Sequence, residues 1–207
     1  AAKFSFLRRL ATGLASVAIV AVAATSAYSQ STWTGATSTN WFTTTNWSPN
    51  GAPGSSLNFG ATATRYNPTI SAASTSPIST ITVAAGSSPY ALGASTGSYV
   101  LANGASITNN RVSPSGGTGF KMANVSLSGT ASSTGSGVLE ITTLSGSGLF
   151  NVNGGTLDLD TADGVALSVQ SGATLLTEGG NYDAITVASG GTMSGTPGSY
   201  LPNSASS

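Results

Sequence analysis

Val152-Asn-Gly-Gly-Thr-Leu157, Val169-Gln-Ser-Gly-Ala-Thr-Leu175 and Val187-Ala-Ser-Gly-Gly-Thr-Met193 are three copies of one phrase, in which small or polar residues around a glycine separate two aliphatic ones. Their lead residues stand 17 and then 18 positions apart. An earlier copy, Leu101-Ala-Asn-Gly-Ala-Ser-Ile107, begins 51 positions before Val152, three steps of 17, and Val83 stands 18 before Leu101. Repetition at so short a period marks a chain whose turns bury their apolar sides only by stacking on one another. The register predicts an all-β fold, a parallel β-solenoid (β-helix) with 17–18-residue rungs over residues 78–195. From Val83 to Val187 it gives about six rungs, a rod roughly 30 Å long at ~4.8 Å per rung.

Working outward from the phrase, brief alternating runs read as strands. Examples are Ile78-Ser-Thr-Ile-Thr-Val83, Val138-Leu-Glu-Ile141, Thr156-Leu-Asp-Leu159 and Val165-Ala-Leu-Ser-Val169. Glycines between them suit corners, which need positive φ or close backbone approach. Spacing is irregular through residues 108–137, where Pro114, Gly116 and Gly117 predict a protruding loop. A β-sandwich of similar short strands is the alternative architecture, but it does not account for the register. Low charge with abundant Gly, Ser and Thr also fits a disordered chain, against which stands the regular return of Val, Leu and Ile.

The N-terminal end predicts export. Lys3, Arg8 and Arg9 precede an uncharged stretch from Leu10 to Ala24, followed by small residues suited to cleavage before Tyr28 or Gln30. The apolar run is shorter than the roughly 20 residues of a membrane-spanning helix. Residues 1–29 are therefore read as a signal peptide with its helix. A retained helix, as in a pilin-like filament subunit processed near Gly13, is the alternative.

Without residues 1–29 the chain keeps three basic residues, Arg65, Arg111 and Lys121, against six acidic ones, a net charge of −3. Three scattered cations make no footprint for a phosphate backbone, so nucleic acid is not an expected partner. There is no Cys, hence no disulfide and no thiolate metal site. An exported chain of this kind relies on burial and backbone hydrogen bonding, which stacked parallel strands supply.

Residues 30–77 read as a Trp-rich cap and linker. They hold all three tryptophans, in Trp33-Thr-Gly35, Asn40-Trp41-Phe42 and Asn46-Trp47-Ser48-Pro49. Bulky aromatics suit a cap over the open apolar end of a solenoid. They also suit a glycan-stacking platform, Trp33, Trp41 and Trp47 offering ring faces and nearby Asn side chains hydrogen bonds.

Trp33-x-Gly35, Asn40-Trp41, Thr45-Asn46-Trp47-Ser48, Gly51-x-Pro53 and Leu57-Asn-Phe59 resemble the start of bacterial autotransporter-type passenger regions and related surface proteins with autotransporter-associated β-strand repeats. Ile81-Thr-Val83, Tyr90-Ala-Leu92-Gly93 and Gly155-Thr-Leu157-Asp-Leu159 resemble the repeats of the same group. The resemblance spans most of residues 31–193. It implies a parallel β-helix that is exported through the inner membrane of a bacterium and is secreted or displayed at the cell surface or outer membrane. No translocating β-barrel or sorting tail is recognised, so the chain is expected to be the N-terminal portion of a longer protein or a short exported relative. Residues 196–207 are expected to be a flexible end.

Chemistry-bearing motifs are few. Without His or Cys there is no Ser-His-Asp or Cys-His nucleophile system. No Gly-x-x-x-x-Gly-Lys loop surrounds Lys121. Asp158, Asp160 and Asp163 begin like an EF-hand loop, but the third Asp falls where that loop needs Gly, and no Glu closes it. Alternation in the strand instead places Asp158 and Asp160 on the solvent side, with Leu157 and Leu159 inward. Glycosidases need two carboxyls across a cleft. All six acids fall in residues 140–183, yet no Lys, Arg or His in that region supports a lyase or pectinase centre. No catalytic residue, metal site or cofactor is assigned. The expected function is that of a non-enzymatic structural or adhesive surface module, with extracellular polysaccharide or a host or neighbour cell surface as partner. A secreted carbohydrate-binding module or polysaccharidase-like β-helix is the alternative.

Overall fold

The structure, a computed structural model, describes residues 30–74, 76–112 and 119–195. The expected signal peptide at 1–29, the loop expected around Pro114, Gly116 and Gly117, and the end segment at 196–207 lie outside the described residues. The Trp-rich segment forms β1 (Ser31–Trp33), one turn of 3-10 helix (Thr44–Asn46) and β2 (Trp47–Ser48). Next come β3 (Ser56–Phe59), β4 (Thr69–Ile70), β5 (Ile78–Val83), β6 (Tyr90–Ala94) and β7 (Tyr99–Asn109). β8 (Phe120–Leu127), β9 (Thr130–Thr134), β10 (Val138–Gly146) and β11 (Leu149–Val152) lead into the long β12 (Thr156–Val169). β13 (Thr174–Thr177), β14 (Gly180–Val187) and β15 (Thr192–Gly195) complete the order. The fold is all-β, with no α-helix among the described residues.

Among the described strands, β1 and β2 pair antiparallel and every other pairing is parallel. One run of neighbours is β1-β3-β5-β7-β9-β11-β12, and β12 also pairs β10, which leads back through β8 and β6 to β4. An additional β7–β8 pairing closes a six-strand ring, β7-β9-β11-β12-β10-β8. The ring closes because β7 and β12 each bend at a glycine. In β7 the bend is at Gly104, with φ +79°; Tyr99–Leu101 pair with β8 on one side of it and Ala105–Thr108 with β9 on the other. Gly164 divides β12 in the same way, between β10 and β11.

Register places like residues in lines through the interior. Leu139, Leu157, Leu175 and Met193 lie side by side at a constant interval, and Val152, Val169 and Val187 form a second such line. In this stretch the paired residues match the spacing read from sequence. Nearer the N-terminus they do not. Ile81 pairs Ile107 and Ile107 pairs Ser133, the same separation of 26 that joins Thr108 to Thr134. Tyr90 pairs Phe120 at a wider separation still. Leu101 is thus not three steps of 17 before Val152, and Val83 pairs Asn109 rather than standing one step before Leu101. The irregular stretch 108–137 also holds two regular strands, β8, which includes the run Asn124–Leu127 read as a strand from sequence, and β9.

What fills the interior changes with the spacing. Trp33, Trp41, Trp47, Phe59, Tyr90, Tyr99 and Phe120 are almost fully buried. They touch in a chain of edge-to-face and tilted contacts, from Trp33–Trp47 at 5.0 Å between ring centroids to Phe59–Phe120 at 5.5 Å. Beyond Phe120, where the interval shortens, the lines are mainly Leu, Val, Ile and Ala, with Phe150 and Tyr182 the aromatic members among the described residues. A longer circuit of chain encloses more volume, and aromatic side chains fill it to interior density.

Candidate functional site

The three tryptophans are interior residues. Each is 1% exposed, and Trp47 meets both Trp33 and Trp41 edge to face. The Trp33 indole N–H donates to the Arg65 carbonyl at 2.7 Å and that of Trp47 to the Trp41 carbonyl at 2.8 Å. The glycan-stacking platform expected of Trp33, Trp41 and Trp47 is not formed: no ring face is open for a sugar, because the rings fill the space between β1, β2 and β3. Asn46, fully buried, ties the segment together. Its side-chain oxygen accepts from the backbone N–H of Thr37 and Ser38, and its amide donates to Ser38 Oγ and the Asn40 carbonyl. All its hydrogen-bonding capacity goes into the local chain.

Among the acidic residues, Glu140 and Asp158 are strand neighbours on β10 and β12. Leu157 and Leu159 point inward, while Asp158 and Asp160 are half-buried on the outer side of β12. Across the strands, Lys121, Glu140 and Asp158 form one outward row. Lys121 and Glu140 form an ion pair, and this hydrogen bond raises the Lys121 ammonium above its usual pKa, partial burial acting the other way. Asp158 is also raised, first by burial and then by the charges of Glu140, Asp160 and Glu178, with Lys121 opposing. Asp163 is exposed beyond Ala162 and pairs with Ser145, away from Asp158 and Asp160. Among the described residues, no three His, Cys, Asp or Glu are placed to hold a metal ion.

Two further features escaped the sequence reading. Arg111 is buried; its Nε donates to the Ser87 carbonyl at 2.8 Å, its guanidinium reaches the Gly119 carbonyl at 3.4 Å, and its backbone N–H donates to Asn109 Oδ1. This arrangement ties down the chain on either side of residues 113–118. The second feature is a surface of small uncharged side chains. On the outer side of β5, β7 and β9, Thr80, Ser106 and Ser132 are in line, and beside them Thr82, Thr108 and Thr134. Ser56 and Asn58 continue the two rows onto β3. Asn151, Ser168 and Thr186 carry the first row across β11, β12 and β14. The signal was present as Thr80-Ile-Thr82, Ser106-Ile-Thr108 and Ser132-Ser-Thr134 at one strict interval, masked by the search for a shorter period.

A shallow depression of about 240 Å³, lined by Val100, Ser126, Leu127, Ser128, Gly146 and Ser147, carries no titratable side chain. No protein-family model matches the chain, and no curated protein or solved structure matches it significantly. What the chain does must therefore be argued from the arrangement of its own residues.

Proposed function

We propose that the chain is an exported, non-enzymatic β-solenoid acting as a structural or adhesive module at a bacterial cell surface, of the autotransporter-passenger type its repeats resemble. The observation that carries the reading is the sequential parallel register: Leu139, Leu157, Leu175 and Met193 are neighbours, as are Val152, Val169 and Val187. A chain that returns to the same line at so short an interval is wound, and winding gives an object that presents long outer faces rather than a pocket. The tryptophans then act as the cap, since β2 stands at the N-terminal limit of the strand order and runs antiparallel to β1. Export is supported by the charged, apolar and small-residue layout of residues 1–29. Asp158 and Ser168 lie on opposite sides of the Gly164 bend in β12.

The test is protease treatment of intact cells that make the protein, with N-terminal sequencing of what is released. The expected result is loss of the chain from intact cells, or its recovery from the medium, with an N-terminus at Tyr28 or Gln30. A protease-protected chain that keeps residues 1–29 inside the cell overturns the reading.

A further inference from the structure

We infer that Asn153-Gly154, at the corner between β11 and β12, is a self-modifying site: its carboxamide is lost spontaneously through a cyclic imide, leaving aspartate or isoaspartate on the outside of the fold. The reaction consumes only water. It stands apart from the proposed function, because neither a partner nor export enters it.

The chemistry balances without a co-reactant. Hydroxide takes the proton of the Gly154 amide, and the nitrogen attacks Asn153 Cγ; a new C–N bond closes a five-membered ring and ammonia leaves. Water then opens the ring. Addition at Cγ gives aspartate. Addition at the main-chain carbonyl carbon gives isoaspartate, whose backbone runs through Cβ and Cγ and is one carbon longer. Glycine favours the first step, since it has no Cβ to shield the attacking nitrogen.

Three Asn-Gly pairs lie among the described residues, Asn50-Gly51, Asn103-Gly104 and Asn153-Gly154, and all three asparagines are exposed. Their surroundings separate them. The Gly51 N–H donates to the Thr44 carbonyl at 3.2 Å, which occupies the nucleophile. Asn103 Oδ1 accepts from the Thr130 N–H at 2.8 Å, and the side chain lies so close over Gly129 that a Cβ would not fit there. Turning that carboxamide toward Gly104 breaks the bond and leaves the Thr130 N–H without its acceptor. Neither restraint exists at the third pair: among the described residues the Asn153 carboxamide and the Gly154 N–H make no hydrogen bond.

Packing also keeps the reactive pair in place. A Cβ at Gly154 would sit 3.1 Å from the Gly135 carbonyl oxygen, so the corner favours glycine. The corners that follow Val169 and Val187 carry Gln170 and Ala188 where this one carries Asn153, and neither side chain can close a five-membered imide. On one side of the reacting bond the Asn153 N–H donates to the Ser133 carbonyl at 2.9 Å, and on the other the Thr156 N–H donates to that of Gly137 at 3.2 Å. An isoaspartate between these two anchors must bulge outward or give up one of them, so the product is less stable than the parent chain.

The test is incubation of the purified full chain in mildly alkaline and in weakly acidic buffer, followed by peptide mapping with electron-transfer mass spectrometry, which separates isoaspartate from aspartate. In the folded chain Asn153 is expected to react about tenfold faster than Asn103, the scale of one hydrogen bond. Isoaspartate should be the larger product, and the rate should rise in alkali. In urea, where the restraints are gone, the three sites should react at similar rates. Asn153→Gln, which copies Gln170, should keep the fold and abolish the product at that position, and ageing should lower its melting temperature less than that of the wild type. Asn103 reacting as fast as Asn153 in the folded chain overturns the inference. So does an Asn153 that stays intact in the folded chain while it reacts in urea.

Discussion

Trp47 donates its indole N–H to the main-chain carbonyl of Trp41 at 2.8 Å, while the two rings meet edge to face with centroids 4.8 Å apart at 80°. A single side chain thus satisfies a buried carbonyl and fills the space between β1, β2 and β3. Replacing it separates the two roles. Trp47→Phe keeps an aromatic ring but leaves the Trp41 carbonyl without that donor, and is expected to cost about 2 kcal/mol. Trp47→Ala also opens a cavity and should cost about 3–5 kcal/mol. Denaturant unfolding of the two variants checks the order; equal losses would show that the hydrogen bond contributes nothing.

Gly146 and Gly104 both have positive φ, at +125° and +79°, yet they differ in surroundings. A Cβ at Gly146 would collide with the Leu127 carbonyl oxygen on the neighbouring strand, whereas at Gly104 nothing lies within 4 Å. Gly104→Ala therefore meets only the left-handed backbone penalty, about 1–2 kcal/mol. Gly146→Ala must push β8 and β10 apart, with an expected loss of about 4 kcal/mol or more, or no folded protein. Melting temperatures of the pair discriminate, and a Gly104→Ala loss as large as that at Gly146 would contradict this account.

Ser133 stands in an interior line between Ile107 and Val152, 3% exposed, and its hydroxyl has no hydrogen-bond partner among the described residues. Burying an unpaired hydroxyl is unfavourable. Ser133→Ala is expected to raise stability by about 1 kcal/mol, while Ser132→Ala, one residue along and facing outward, should change it by less than about 0.5 kcal/mol. A loss of stability in Ser133→Ala would mean that the hydroxyl has a partner, a bound water for example.

Asp158 gives a pH signature. Its carboxyl is held above the usual value by burial and by Glu140, Asp160 and Glu178. The folded state therefore binds this proton more tightly than the unfolded state. The Asp158 contribution opposes folding at neutral pH and is relieved as pH falls through the raised folded value toward the ordinary carboxylate value. Asp158→Asn should stabilise the protein at pH 7 and lose its advantage in acid. The raised Lys121 ammonium has the opposite sense: its contribution is full below its ordinary value and is lost as pH rises through the raised one. Chemical denaturation of wild type and Asp158→Asn across pH is the measurement, and a constant difference from acid to neutral pH would exclude the linkage.

Sequence reading and structure agree where chemistry is repetitive and part where it is not. The lines through Leu139, Leu157 and Leu175 were legible because each strand contributes an aliphatic residue at a fixed interval, and the outward side of Asp158 and Asp160 followed from simple alternation. β9 was obscure, because Thr130-Ala-Ser-Ser-Thr134 presents only Ala131 and Ser133 inward and carries no large apolar residue. The first strands were misregistered for a different reason. Val83, Leu101 and Val152 share a phrase, but β5 and β7 are joined through connections that a count of 17 cannot anticipate. The tryptophans suited either a cap or a sugar platform, since composition alone does not say which way a ring faces. Asn46 was visible beside Trp47, but its four bonds depend on a fold of residues 37–46 that no local pattern announces.

The line from Leu139 through Met193 has a consequence for how such a chain grows. A duplicated block beginning at Leu157 and ending at Thr174 would meet, on each side, neighbours nearly identical to those it has now, so length can be added there without redesigning the interior. The aromatic end offers no such freedom, because Trp33, Trp41, Trp47 and Phe59 are unlike one another in position and each is fitted to its own ring neighbours. Gene duplication can act on one part of this molecule as on a ruler with equal divisions, while the other part stays a unique starting block.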